Sequence, residues 1–209
     1  LAGILILCVL PATMSRSAWI AAAISCAWVA YMHRDRRKWS VLWRRYKKRY
    51  LTWGVVGLFV LILGGAGIFF LKPDSAMGRL FMWKITCKAI VEHPWGCREG
   101  FVYAYGEAQE KYFGSGDYAV WEERVAGSPE YAFNEYLELA LTAGVMLGVM
   151  FFSTIGAGLW LGTKWGRYEI CGALISLLVF SFSSYPMHFP VFMVTGICLL
   201  FACGAGDVG

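Results

Sequence analysis

Charge is scarce in this chain. Only 16% of its 209 residues are Asp, Glu, Lys or Arg, against 58% hydrophobic, and the mean hydropathy is +0.54. Soluble domains carry about 25% charged residues, so a water-exposed globular fold is a poor fit. Lipid, by contrast, accepts apolar side chains on every face of a helix. Nucleotide-handling and zinc-protease signatures are missing too: there is no P-loop, no dinucleotide glycine fingerprint and no HExxH. No Cys-x-x-Cys occurs, and nothing has zinc-site spacing. Seven cysteines are present: Cys8, Cys26, Cys171, Cys198 and Cys203 fall in apolar segments, while Cys87 and Cys97 share the one long polar stretch. Burial as small hydrophobes suits the first five, and a disulfide between the last two stays open. No signal peptide is visible. The chain opens inside an apolar run, residues 1–10, which as a helix reaches only ~15 Å, about half a bilayer. The expectation is a fragment entered partway through a transmembrane helix.

What charge there is has been placed unevenly. Nine of the nineteen basic residues lie between Arg34 and Arg49, with Asp35 as the sole acid among them. Basic runs also mark nucleic-acid binders, but apolar segments flank this one closely on both sides. It reads as a cytoplasmic loop under the positive-inside rule, with no nucleic-acid partner. Spans are expected at residues 17–32, 52–71, 134–161 (polar at first, with Glu135 and Glu138), 168–182 and 191–205. Alternation then puts Arg16, the segment 72–133 and the turn 183–190 outside, and the short loop 162–167 inside. Lys164 and Arg167 make that inner loop basic, an independent check. Three parts follow: N-terminal transmembrane helices 1–71 with the basic loop 33–50, an outer loop 72–133, and C-terminal transmembrane helices 134–209.

The outer loop has seven basic and nine acidic residues. Ser75 is placed to cap a helix, and Leu80, Trp83, Ile85, Cys87, Ile90 and Val91 suit one lying at the membrane interface. Arg79 and Trp83, four apart, share a face. The run Glu92-His93-Pro94-Trp95-Gly96 ends the helix, and His93 reads as structural. Residues 97–129 read as an ordered loop with exposed aromatics. Tyr103, Tyr105, Tyr112, Tyr118 and Trp121 suit either sugar stacking or anchorage among lipid headgroups. Glu122 and Glu123 read as solvated charge.

Four segments together resemble the O-antigen ligase and polymerase superfamily of bacterial membrane glycosyltransferases. Ser15-Arg16-Ser17-Ala18-Trp19 is similar to its Ser-Arg signature. Gly78-Arg79 with Trp83, leading into His93-Pro94-Trp95-Gly96, is similar to its Arg-x-x-x-Trp helix and Pro-x-Gly turn. Phe133-Asn134-Glu135-Tyr136-Leu137-Glu138, then Gly144 and Gly148, is similar to its His-Asn-x-x-Leu helix start with a downstream glycine. Ser184-Tyr185-Pro186 resembles a turn in members with an Asn-Glu-Tyr-Leu version.

The resemblance implies an all-α polytopic transmembrane bundle, one piece of a larger GT-C-like protein of the bacterial inner membrane with a periplasmic active face. It also implies transfer of a glycan from an undecaprenyl-diphosphate carrier to a glycan or lipid A-core acceptor, without metal or cofactor. Arg16 and Arg79 then match positions suited to clamping the diphosphate. Trp83 and Asn134 take substrate-contacting or structural places. Phe133 stands where the ligase pattern has the His expected to act as base, so Glu135, Glu138 or His188 would have to substitute. That departure favours a polymerase or another subgroup over a strict lipid A-core ligase. A transporter, which usually carries ionisable residues near mid-membrane, and a non-catalytic scaffold are the competing classes.

Overall fold

The structure, a computed structural model, describes residues 15–34 and 73–205. The side chains of Arg16 and of residues 73–75 lie outside that description, as do the expected spans 1–10 and 52–71 and nearly all of the basic loop. Among the described residues there are helices and no strand, the all-α class. In chain order they are α1 (Arg16–Met32), α2 (Pro73–Glu92), α3 (Phe101–Gly114), α4 (Val120–Val125), α5 (Glu135–Thr142), α6 (Val145–Lys164), α7 (Tyr168–Ser181), a 3-10 turn (Pro186–His188) and α8 (Pro190–Gly204).

Helices α1, α6, α7 and α8 form an apolar bundle. Ser15 caps α1, its Oγ accepting from the Ala18 amide at 3.4 Å. Small residues let the backbones approach closely: a side chain at Gly172 would strike Val29, one at Gly162 would strike Cys171 and Cys203, and one at Gly158 would strike Leu200. Lipid supplies no hydrophobic drive between helices, so such close packing is what holds a membrane bundle together. Cys171, Leu174, Ile155 and Cys203 fill its centre, while Met146, Val149, Met150, Val191, Val194 and Phe201 face outward. Helix α6 has twenty residues and is long and apolar enough to cross a membrane; α1, α7 and α8 are apolar but shorter.

The bundle has two chemically different ends. Helix α1 runs antiparallel to α7: the Ser183 hydroxyl, just past α7, donates to Ser17 Oγ at 2.6 Å, while His33, past the other end of α1, meets Glu169 near the start of α7 at 3.0 Å. Beside Glu169 are Arg167, whose Nη1 donates to the Ala202 carbonyl of α8 at 2.6 Å, and Lys164. His33, Lys164 and Arg167 thus gather at one end, and Arg16, Ser17 and Ser183 at the other.

A second core lies in residues 73–142. Phe81, Ile85 and Ala89, at helical spacing on α2, bury against Phe101, Ala104, Tyr105, Ala108 and Tyr112 of α3 and Leu141 of α5. This revises the reading of the loop in several places. Helix α2 starts at Pro73, so Ser75 lies inside it and does not cap it. The apolar residues expected on one interfacial face are divided: Ile85 is buried in this core, while Leu80, Cys87 and Val91 are exposed. Residues 97–129 hold two helices, with Tyr105 and Tyr112 buried. Cys87 and Cys97 are free thiols, one exposed and one buried, with no disulfide between them. Glu122 is buried, 3% exposed: it accepts from Lys84 Nζ at 2.6 Å, the Tyr112 hydroxyl at 2.7 Å and the Ala119 amide at 2.9 Å. A charge so enclosed must be paired to be tolerated, and no sequence pattern revealed the partner 38 residues away.

The expected continuous span 134–161 is broken. Helix α5 stops at Thr142, and α6 restarts after Gly144, whose φ is 95° and ψ 154°. The break is fastened to the turn that follows α2: the Cys97 amide donates to the Leu141 carbonyl at 2.8 Å, and the Val145 amide to the Pro94 carbonyl at 3.0 Å. The Pro-x-Gly turn and the downstream glycine therefore meet back to back. This backbone junction sets the helical module on the bundle.

Candidate functional site

The site residues assemble at the Ser17–Ser183 end of the bundle, where α2, α5 and the 183–190 turn converge. Asn134 is buried and serves as N-cap of α5: its Oδ1 accepts from the Tyr136 and Leu137 amides at 3.0 and 3.1 Å. Trp83 reaches from α2 to the irregular segment before α5, its Nε1 donating to the Ala132 carbonyl at 3.1 Å. Arg79, one turn earlier on α2, donates from Nη1 to the Ser183 carbonyl at 2.8 Å. Its guanidinium carbon lies 5.2 Å from the centre of the Phe133 ring. Arg16 begins α1, next to Ser17 in this same region, although its side chain is outside the described part.

Capping by Asn134 points the first turn of α5 at the 186–188 turn. Glu138 Oε1 meets His188 Nε2 at 2.9 Å, and its Oε2 accepts from the Ala132 amide at 2.9 Å. Glu135 Oε1 accepts from the Met187 amide at 2.6 Å and lies 3.6 Å from His188 Nδ1, beyond hydrogen-bonding reach. The three side chains singled out as substitutes for the missing base therefore form one cluster. Burial raises the affinity of both carboxyls for a proton, Glu135 and Glu138 alike, and the imidazole opposes that shift. Around the cluster, Tyr131 stacks on Tyr185 (4.8 Å, 15°) and lies 4.3 Å from the His188 ring. Phe133 meets Tyr185 edge-on at 5.0 Å. Among the described residues Phe133 is the one non-glycine with positive φ, 50°, an unusual conformation for a bulky side chain and one that tends to occur at functional positions.

Tyr131 went unnoticed in the sequence because it sits in an irregular segment with no periodicity; its proximity to Phe133-Asn134 was the one available signal. Glu138 was visible as the residue four before Thr142 on the helix start, but its pairing across 50 residues to His188 was not. No group of three or more His, Cys, Asp or Glu among the described residues is arranged to hold a metal.

Acid titration separates the buried carboxylates by sign. Glu122 is held down at about 2, mainly by its hydrogen bond from Lys84 and then by those from Ala119 and Tyr112, against burial. Its ordinary value is 4.5, so its stabilisation is complete above that pH and disappears as pH falls toward about 2. Glu135 and Glu138, shifted upward, work the other way: protonation as pH falls favours the folded state. The expected result is that wild type loses melting temperature in detergent between about pH 5 and about pH 3 more steeply than Glu122→Gln. Equal slopes would remove Glu122 from the acid response.

The sequence model of one protein family, described as O-antigen ligase, matches residues 1–152. The match takes in α1 through most of the first half of α6, and leaves His188 beyond its edge. No curated protein matches the chain, and no solved structure does. With well over half of its length matched, and with the family's characteristic segments gathered at one end of a helical bundle, the chain belongs to the O-antigen ligase and polymerase superfamily, membrane proteins of glycosyltransferase-like, O-antigen-ligase-type function.

Proposed function

We propose that this chain moves a glycan from an undecaprenyl-diphosphate carrier to an acceptor hydroxyl at the periplasmic face of the inner membrane, in surface polysaccharide biosynthesis. One observation carries the reading: around the aromatic pair Phe133 and Tyr185 stand a guanidinium, Arg79, and a carboxylate-held imidazole, His188 with Glu138. Transfer needs both. The leaving group is a diphosphate whose charge must be held, and the acceptor hydroxyl must lose a proton.

In this mechanism His188 keeps its proton on Nε2, donating to Glu138, which leaves the Nδ1 lone pair, on the side of Glu135 Oε1 at 3.6 Å, to take a proton. The acceptor oxygen attacks the anomeric carbon while Nδ1 takes its proton. The bond from that carbon to the diphosphate oxygen breaks, and its electron pair leaves with the diphosphate. Arg79, with Arg16 as second clamp, stabilises that charge through planar, permanently charged donors. Glu138 then faces an imidazolium and stabilises it without taking the proton. The first few isoprene units of the carrier, next to the diphosphate, lie in the apolar crevice of about 350 Å³ that opens beside Glu135, lined by Leu139, Phe151, Ile155, Met193 and Ile197 among others, and the rest of the tail runs out into lipid. With Phe133 in place of a histidine, polymerisation onto another glycan suits the site better than transfer to lipid A core.

Arg79→Lys tests the clamp. It retains charge but loses the planar fork, and transfer by the purified full-length protein is expected to fall by about 10–100-fold, the equivalent of one or two charged hydrogen bonds. Unchanged rates at equal melting temperature would reject diphosphate binding by Arg79. Orientation has its own check. Ser115, exposed at the end of α3, should as Ser115→Cys, with the exposed Cys87 replaced by Ser, react with a membrane-impermeant maleimide from the periplasmic side; labelling from the cytoplasm alone would invert the topology.

A further inference from the structure

A second cavity, of about 360 Å³, lies in the helical module apart from the Glu138–His188 cluster. One wall is a single stripe of α3: Val102, Tyr105, Gly106, Gln109 and Phe113, at the three- and four-residue spacing of one helix face. The other is the loop Gly127-Ser128-Pro129. Its volume falls at the small end of the range for ligand sites. Two details single it out. Gln109 Oε1 is buried and accepts no hydrogen bond among the described residues. Leaving a buried acceptor unmet is costly, so the carboxamide gains by turning, through its soft end torsion, toward a donor in the cavity. Gly106, next to it, has open space where a side chain would stand; a mid-helix glycine costs stability relative to alanine, and no packing need explains it here.

The loop wall continues directly into the site. Pro129 is two residues before Tyr131, so at most ~7 Å of chain separates the cavity's edge from the ring that stacks against His188. From this placement we infer that the cavity is a saccharide subsite, holding one sugar residue of the glycan a short distance from the bond being made. It rests on the glycan-transfer reading above. Tyr105 supplies an aromatic wall, Gln109 and Ser128 supply groups that bond hydroxyls, and Glu110 at the rim adds a further acceptor. A subsite that grips the chain beyond the reacting unit would keep a growing glycan engaged between transfers, which makes product length depend on residues remote from the chemistry.

The test is binding of the repeat-unit oligosaccharide, released by mild acid from the host's own surface polysaccharide, to the purified full-length protein by saturation-transfer NMR. Wild type is expected to bind, and Gln109→Leu and Gly106→Trp to weaken binding by about tenfold or more, the size of one lost hydrogen bond or a blocked pocket. Gly106→Ala, too small to fill the cavity and better suited to a helix, is expected to bind and fold like wild type, which guards against a folding artefact. His188→Asn should still bind the oligosaccharide while losing transfer. No binding by wild type, or equal binding by all variants, overturns the subsite. Binding that depends on Gln109 together with full transfer by His188→Asn would instead overturn the catalytic reading and leave the subsite standing.

Discussion

Glycan transfer by His188→Asn is expected to drop by about 10²–10⁴-fold, the range removed with a general base, while the protein still inserts and folds. Asparagine retains a polar group near Glu138 but cannot accept a proton from an acceptor hydroxyl. The partner change Glu138→Gln separates orientation from charge. A glutamine carbonyl can still accept the Ala132 amide, which Glu138 now holds at 2.9 Å, so the irregular segment before α5 keeps its shape. What disappears is the negative charge that favours an imidazolium, and a smaller loss, about tenfold or greater, follows. The measurement is release of diphosphate-linked carrier from a lipid-linked donor under single-turnover conditions. A rate for His188→Asn within about threefold of wild type would remove the histidine from the proton path. Attention would then turn to Glu135, whose raised proton affinity suits a base working closer to neutral pH.

The other large effect is structural. Gly144→Ala is expected to destabilise the protein by about 3 kcal/mol, seen as a fall in melting temperature of roughly 6–12 °C in detergent. Two costs combine. At φ 95° and ψ 154° the residue occupies a region that is nearly exclusive to glycine. A β-carbon there would also stand 2.7 Å from the Trp95 carbonyl carbon, and one on Gly96 would stand 2.8 Å from the Thr142 oxygen. Backbone cannot turn aside as a side chain can. Gly148→Ala, whose added carbon meets nothing within 4 Å, is the matched control and should change little. If both variants melt alike, the two turns do not hold the module in place.

The sequence disclosed the membrane character, the helix class and the ends of α1, α7 and α8, because apolar runs and charge placement are local properties. It also named, through short segments of family resemblance, Arg79, Trp83, Asn134, Glu135 and His188, residues that the fold brings to one end of the bundle. It did not disclose the core of the module. Phe81, Ile85 and Ala89 form a stripe no more apolar than the exposed Leu80 and Val91 beside it, and only the position of α3 decides which one is buried. Glu122 was misjudged for the same reason: its partner Lys84 is on another helix. The break at Gly144 was hidden because the apolar pattern runs through it without change; what stops the helix is a carbonyl and an amide from a turn some fifty residues earlier.

The pairing of α1 with α7 has a consequence for biogenesis. The hydroxyls of Ser17 and Ser183, joined at 2.6 Å, are 166 residues apart in the chain, and Val29 of α1 occupies the space that Gly172 of α7 leaves. A ribosome delivers α1 to the membrane long before its partner exists. At about 5–20 residues per second, α1 waits many seconds in lipid with its contact face, small residues such as Ala21 and Ser25, uncovered. Until α7 arrives, the start of α1 and the turn carrying His188 are not neighbours, so the proposed reaction centre is completed only once α7 and the turn after it are in place.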